Sequence, residues 1–275
     1  MRNEQRVTSV RNARQDGIDA CSSVPLFLTP MFEQKPLGSA TGFLWTLHGR
    51  HFLITNWHVV TGRNHETGKC LLDNAAIPDR IVVSFPRDER LAPPLDVTVW
   101  TVDRDGNPRW TEHPIYRQSV DVVALPIEPP PDGEGSYFPM NGIPEIELVQ
   151  RIGMRVFILG FPFGRQGLGM PVWKQATFAS EPFLSPEIQR YLIVDTASRP
   201  GMSGSPVIQR EYGEVRTDEG VIGHAVGGLG ACRFVGVYSG RFHTNDPNDA
   251  QLGRVWPRQL VWDIVEQACL WTAPT

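Results

Sequence analysis

Apolar runs in this chain are short, and Gly, Pro or Asn breaks almost every one of them before it reaches helical length. From Val24 onward, V-P-L-F-L-T, A-T-G-F-L-W-T-L and H-F-L-I-T-N follow one another. Runs of β-branched and aromatic residues bounded by such breakers read as antiparallel strands. The L-H-G-R-H between the second and third runs reads as a hairpin turn around Gly49 and Arg50. Further strands are expected at 80–85, 96–102 and 120–127, then at 154–159, 172–179, 191–196, 206–209, 233–239 and 254–256. The 26 glycines and 24 prolines in 275 residues exceed average usage and fit a turn-rich architecture.

The strands fall into two sets of about six, separated by the Pro- and Gly-rich stretch 128–144, which reads as a solvent-exposed connector. The expected fold is all-β: two tandem antiparallel six-stranded β-barrels, since closing a sheet removes its edges. The domain reading places an extension at 1–23, loosely attached, and an N-terminal barrel at 24–140. A C-terminal barrel follows at 141–256, then a helix and tail at 257–275. Apolar residues at 260, 261, 264, 265 and 268 have helical period. The charged, then glycine-rich 211–231 reads as a long loop.

Charge narrows the function. A net charge of −4 with pI near 6.0 gives no footprint for nucleic acid or an anionic membrane. The N-terminal residues are polar and unlike a secretory signal, and no apolar stretch approaches a membrane span. Cys21, Cys70, Cys232 and Cys269 lie far apart, as reduced thiols of a cytoplasmic protein do. No cofactor or metal is expected. His65 and Cys70 make no metal set, and the glycine pairs at 167–169 and 227–230 lack the strand-to-helix setting of a phosphate loop.

The chemistry concentrates in D-T-A-S-R-P-G-M-S-G-S-P, from Asp195 to Pro206. Gly201 and Gly204 frame Ser203 in a stretch unsuited to helix or strand interiors, fit instead for a tight loop that presents one hydroxyl and free N–H groups. Acyl transfer needs a nucleophile and oxyanion donors of that kind. A serine also needs a base held in the right tautomer by a carboxylate. His58, in L-I-T-N-W-H-V-V, sits at a strand end and at the start of a short helical turn, whereas His48, His51, His65 and His113 sit in polar turns with no accompanying pattern. Asp121, in S-V-D-V-V-A-L-P-I, is an acid inside an apolar strand, where an unpaired carboxylate is costly. Asp195 also lies in an apolar strand and competes for the role, though it is too near the serine loop to approach from the other barrel.

T-N-W-H-V-V, S-V-D-V-V-A-L and R-P-G-M-S-G-S-P, in that order, resemble the His, Asp and Ser motifs of trypsin-like (chymotrypsin-fold) serine peptidases. L-G-F-P-F-G at 159–164 resembles a turn of the bacterial HtrA/Deg-type branch, here without a PDZ domain. The resemblance spans about 38–240 and implies a serine endopeptidase acting on polypeptides. It assigns His58 as general base, Asp121 as its orienting acid and Ser203 as nucleophile, with the N–H groups of Gly201 and Ser203 as oxyanion hole. The substrate pocket would lie between 196–200 and 236–240, and involve Ala197, Tyr238, Ser239 and Gly240. An alanine at 197 offers no charge to a basic side chain, so a small or medium apolar P1 residue is expected.

Two positions depart from the family pattern. Ser205 replaces a glycine, which is tolerated if the position does not need positive φ. Met202 replaces the acid that pairs with a newly cut amino terminus in trypsin-like zymogens, so activation by such cleavage is not expected. The hole is then either preformed or ordered by substrate or a partner. Three other readings stand beside this one. A catalytically silent protease-like module would keep the fold and bind peptides. A partner-gated protease would use 1–23 or 211–231 for regulation. An α/β-hydrolase would need a histidine after Ser203, leaving only His224 and His243, in a chain without alternating long helices.

Overall fold

The computed structural model describes residues 18–87, 93–131, 134–135, 137–164, 170–184, 187–217, 220, 222–225, 230–242 and 251–270. Residues 1–17 of the expected extension, the glycines at 167–169 and 227–229, and His243 lie outside the described residues.

Seven strands build the first sheet: β1 (Pro25–Phe32), β2 (Lys35–Pro36), β3 (Ala40–Leu47), β4 (Arg50–Thr55), β5 (Arg80–Phe85), β6 (Leu95–Trp100) and β7 (Val123–Pro126). Their order is β6-β5-β1-β3-β4-β7, with the two-residue β2 paired to β1. All neighbours are antiparallel. The β3–β4 hairpin turns on His48 and Gly49, at φ 51° and 73°, a left-handed pair matched to strand twist.

The six expected strands are present in this half, but no ladder closes it into a barrel among the described residues; it is a half-barrel. The edge strand β7 is covered instead by a single bridge, in which Thr111 and Ala124 exchange both backbone hydrogen bonds at 2.8 and 3.1 Å. Residues 120–122, expected within the last strand, run outside the ladder, and this frees Asp121 to leave the sheet direction.

The second unit does close. Its strands β8 (Arg155–Gly160), β9 (Val172–Phe178), β10 (Leu192–Asp195), β11 (Pro206–Glu211), β14 (Ala231–Arg241) and β15 (Leu252–Pro257) run around a barrel in the order β10-β15-β14-β11-β8-β9. The segment 211–231, expected as a loop, contains a separate hairpin of β12 (Gly213–Arg216) and β13 (Ile222–Ala225). A short helix α1 (Trp57–Thr61) follows β4, and α2 (Arg258–Leu270) ends the described chain. The five α2 positions picked out by periodicity, Leu260, Val261, Ile264, Val265 and Ala268, are the ones it buries. No described helix is long and apolar enough to cross a membrane.

Each unit has its own interior, and a third core joins them. Phe43 and Trp45 of β3 meet Phe234 of β14, with ring centroids 5.6 and 5.7 Å apart, and the buried face of α2 covers the same cluster. Two segments expected to be solvated also join it. Phe138, Met140 and Ile143 of the connector are buried, and Asn141 exchanges two hydrogen bonds with the Thr46 backbone. Ala20 and Cys21 are buried too. The Arg210 guanidinium holds Asp19 and stacks 4.5 Å from the Trp173 ring, whose indole N–H donates to Ser22 Oγ at 2.8 Å. The residues just before β1 thus dock on the second barrel rather than hanging free.

Phe234 is fully buried between the units. Phe234→Ala should lower unfolding free energy by about 3–5 kcal/mol, read from urea denaturation with a probe in each unit. A shift confined to the second unit would show that the shared core does not couple them.

Candidate active site

α1 begins at the end of β4, where Asn56 has extended backbone, and this step from strand to helix places His58 one residue inside the helix. Asn56 is buried and donates from Nδ2 to the Asp121 carbonyl at 2.7 Å, which ties the 120–122 segment to the His58 turn. Asp121 is itself fully buried. Its Oδ1 accepts from the His58 backbone N–H at 2.9 Å, and its Oδ2 lies 2.7 Å from His58 Nδ1. With Nδ1–H bonded to the carboxylate, Nε2 is left as the basic nitrogen. The competing acid, Asp195, is exposed on β10 and takes no part.

Ser239 supplies a second contact that sequence reasoning did not assign to it: its hydroxyl donates to Asp121 Oδ2. A β-bulge makes this possible. Tyr238 pairs with Val255 and Gly240 with Arg254, so Ser239 is the extra residue between them and is turned out of the ladder. The only sequence signal was Gly240, at φ 110°.

Ser203 lies beside this group. A Cβ placed on Gly240 would stand 4.0 Å from Ser203 Oγ. The serine loop is held from several sides. Thr41 of β3 donates its N–H to the Ser203 carbonyl at 2.8 Å and its hydroxyl to the Gly201 carbonyl, also at 2.8 Å. Phe163 N–H donates to the Pro200 carbonyl at 2.9 Å, and Ser205 N–H to the Met202 carbonyl at 3.1 Å. In a trans peptide the N–H points opposite to the C=O. Capturing the Pro200 and Met202 carbonyls therefore leaves the N–H groups of Gly201 and Ser203 each pointing away from those bonds.

Both framing glycines are required by geometry. Gly201 and Gly204 have φ of 97° and 84°, and an added Cβ would stand 2.2 Å from the Phe161 oxygen and 2.0 Å from the Thr41 oxygen respectively. Ser205 is not among the residues with positive φ, so the serine fits that backbone. Met202 is buried in the second barrel's core with Val207, Val255 and Phe178.

Of the remaining residues expected at a substrate pocket, Ala197 is half-buried and Tyr238 fully buried. Tyr238 O accepts from Gly204 N–H, and Tyr238 N–H donates to Ser205 O, both at 2.9 Å. Three histidines set aside by pattern have partners: His51 Nδ1 lies 2.9 Å from the Thr46 hydroxyl. His65 Nε2 lies 2.7 Å from Arg254 Nη1, and buried His113 lies 3.3 Å from Asp263 Oδ2. Burial lowers the pKa of both. Among the described residues no cluster of three or more His, Cys, Asp or Glu could hold a metal ion.

Burial alone would push the Asp121 carboxyl up. The charge and hydrogen bond of His58, with His65 and the Ser239 hydroxyl, outweigh it and hold Asp121 below the ordinary carboxylate range. A depressed folded pKa gives stability that is present above the unfolded value, 3.8, and lost as pH falls through the folded one. Denaturant midpoints of the wild type should therefore fall more steeply below about pH 4 than those of Asp121→Asn. Equal acid slopes would contradict the pairing. Gly204→Ala should cost at least about 1–3 kcal/mol from backbone strain alone, read as a lower Tm. A wild-type Tm would mean that the loop is not pinned against Thr41.

Residues 40–216 match the family model of the trypsin-like peptidase domain, a span that contains His58, Asp121 and Ser203. Solved structures show the same fold. The protease Anisep from Arthrobacter nicotinovorans superposes with a TM-score of 0.51 at 12% identity, covering 92% of this chain and 98% of that one. A thermostable serine protease from an extremophilic microorganism gives 0.50 at 12% identity, covering 91% and 99%. No curated protein sequence matches the chain.

Proposed function

The chain belongs to the trypsin-like peptidase family of serine endopeptidases, and we propose that it cleaves polypeptides through an acyl-enzyme formed on Ser203. In this reading His58 Nε2 takes the Ser203 proton as Oγ attacks the scissile carbonyl, and later returns it to the leaving amine. Asp121 orients the imidazole through Nδ1 and stabilises the imidazolium. The oxyanion settles against the N–H groups of Gly201 and Ser203. Water then releases the acyl group by the same steps in reverse.

One observation carries the reading: the Ser239–Gly240 pair lies between the two halves of the site. Ser239 donates to the carboxylate that holds His58, and the adjacent Gly240 leaves space beside Ser203 Oγ. A chain that only bound peptides would have no need of a fully buried, three-fold hydrogen-bonded aspartate aimed at one histidine.

The hole is preformed on this account. Carbonyl capture by Phe163 and Ser205 sets the two N–H directions without a buried amino-terminal ion pair, consistent with methionine at position 202. The division of labour follows the two units, with 24–140 contributing base and acid and 141–256 contributing nucleophile and pocket, the latter comprising Ala197, Tyr238, Ser239 and Gly240.

A fluorophosphonate probe should label the wild type at one site and fail to label Ser203→Ala. In a peptide-library assay, Asp121→Asn should lower kcat by roughly 10⁴, the loss expected when a triad carboxylate is removed. Absence of labelling in the wild type, or full activity in both His58→Ala and Asp121→Asn, would overturn the assignment.

A further inference from the structure

The cysteines take no part in the chemistry above, yet two of them meet inside the molecule. We propose that Cys21 and Cys232 are a redox site: oxidised by a hydroperoxide, they form a reversible disulfide that fastens the residues ahead of β1 to the second barrel. Neither thiol belongs to the Ser203 site, so the bond forms whether or not that assignment holds.

Cys21 lies in a single 3-10 turn, Ala20–Ser23, and Cys232 lies on β14, 211 positions later. Their sulfurs are 4.0 Å apart, and the two residues are only 1% and 3% exposed. A disulfide needs about 2.05 Å between its sulfurs, so an approach of roughly 2 Å completes the bond. Cys232 is fixed by the β11–β14 ladder. The turn belongs to neither sheet, and side-chain rotation with a small shift of that turn brings Cys21 the remaining distance. Cys70 and Cys269 are the more exposed thiols, half-buried rather than buried. An oxidant that chose by exposure alone would take those two, whereas one that needs a neighbouring thiol takes the buried pair.

A cation stands over the pair. Residues directly opposite on neighbouring antiparallel strands put their side chains on one face, and Arg210 of β11 is the ladder partner of Cys232. Its Nη2 donates to Cys21 Sγ at 2.9 Å and to Asp19 Oδ1 at 3.0 Å. Asp19 Oδ1 also accepts from the Cys21 N–H at 2.9 Å, so one carboxylate holds both the turn and the guanidinium. Two thiols in contact share a proton, and a neighbouring cation favours the thiolate. Contact with Cys21 and the charge of Arg210 lower Cys232 against the effect of burial. The same contact, with burial, raises Cys21. The first proton of the pair therefore leaves from Cys232, whose sulfur is the attacking one.

The peroxide enters when the turn opens, and one turn outside both sheets opens at lower cost than a barrel strand. The Cys232 thiolate attacks one peroxide oxygen: the S–O bond forms, the O–O bond breaks, and the leaving hydroxide takes up a proton as water. Cys21 then attacks the sulfenic sulfur. The S–S bond forms, the S–O bond breaks, and hydroxide departs with the Cys21 proton as a second water. The two thiols lose two electrons and the peroxide gains them. A dithiol reverses the change by exchange. Because Cys21 comes just before β1 of the first sheet and Cys232 belongs to the second barrel, the bond spans both units. It closes most of the chain into one loop and so restricts the unfolded state.

The test uses the full chain, reduced, freed of reductant and exposed to a small excess of hydrogen peroxide. Remaining thiols are alkylated under denaturing conditions and the peptides are mapped without reduction. The wild type should give a linked pair of peptides carrying Cys21 and Cys232, with Cys70 and Cys269 alkylated, and dithiothreitol should return the linked cysteines to alkylation. The oxidised chain should melt at least about 4 °C above the reduced one. Cys21→Ser should show no such rise, and the double variant Cys70→Ser, Cys269→Ser should keep both the link and the rise. Recovery of Cys21 and Cys232 as alkylated thiols, or as sulfinic acids with no link, overturns the proposal. So does crosslinking spread evenly over the four cysteines, and so does a Cys21→Ser chain whose Tm rises on oxidation as the wild type's does. A linked wild type with an unchanged Tm overturns the fastening. Should Cys21→Ser fail to fold, the wild-type map and the double variant decide it.

Discussion

The serine loop belongs to the second barrel, but Thr41 of the first sheet holds it in place. Thr41 spends its N–H on Ser203 and its hydroxyl on Gly201, and its hydroxyl oxygen also accepts from Phe161 N–H at 3.2 Å. Its carbonyl in turn takes the Thr55 hydroxyl at 2.9 Å, three residues before His58. Nucleophile loop and histidine turn are therefore referenced to one buried residue. Each such bond adds only about 0.5–1.5 kcal/mol net, but leaving a buried group unpaired costs about 1–3. The loop consequently has few low-energy positions other than the observed one. The same contact explains the spacing of glycines in R-P-G-M-S-G-S-P. Gly204 is small because the Thr41 oxygen lies against it, and Gly201 because the Phe161 oxygen does. Reactivity and close packing make the same demand on this stretch.

Much of this was legible because it is local. Strand positions follow from short runs of β-branched and aromatic residues and from the Gly, Pro or Asn that breaks them, and the ladder of β3 with β4 matches the apolar runs that flank Gly49. The face of α2 follows from periodicity alone. Asp121 stood out because a lone acid in an apolar run needs a partner, and the structure supplies His58, Asn56 and Ser239 around it. What was not legible depends on residues far apart in the chain. The edge of the half-open first sheet is met by a bridge at Thr111, in a segment with no strand pattern. The connector at 128–144 has a loop's composition, yet Phe138, Met140 and Ile143 find apolar partners in both units. Residues 19–23 are ordered by Arg210 and Trp173, about 150 or more positions away.

The buried charges show why such clasps are selective as well as adhesive. Arg210 meets Asp19, the Trp173 face and the Cys21 sulfur, the last at 2.9 Å from Nη2. Cys21 and Cys232 lie 4.0 Å apart as free thiols; their contact and burial raise Cys21, while the same contact together with Arg210 lowers Cys232. A guanidinium with this many specific partners tolerates little sliding of the first residues over the barrel. Arg254 plays a like part nearer the site, with His65 and Glu66 as polar partners and the rings of Tyr191 and Phe242 within 5 Å. These arginines are unremarkable in the sequence because their partners are scattered.

Tyr238 ties the serine loop to the strand that reaches Asp121. Its backbone is fixed by Gly204 and Ser205, its side chain by Ser198 and Gly253, and the bulge that follows it turns Ser239 toward Asp121. The serine loop and Ser239 therefore cannot shift independently. A ring that moved would pull on the strand that carries Ser239, and so on the carboxylate bonded to His58. The buried tyrosine is in that sense part of how the Asp121 side of the site is kept still.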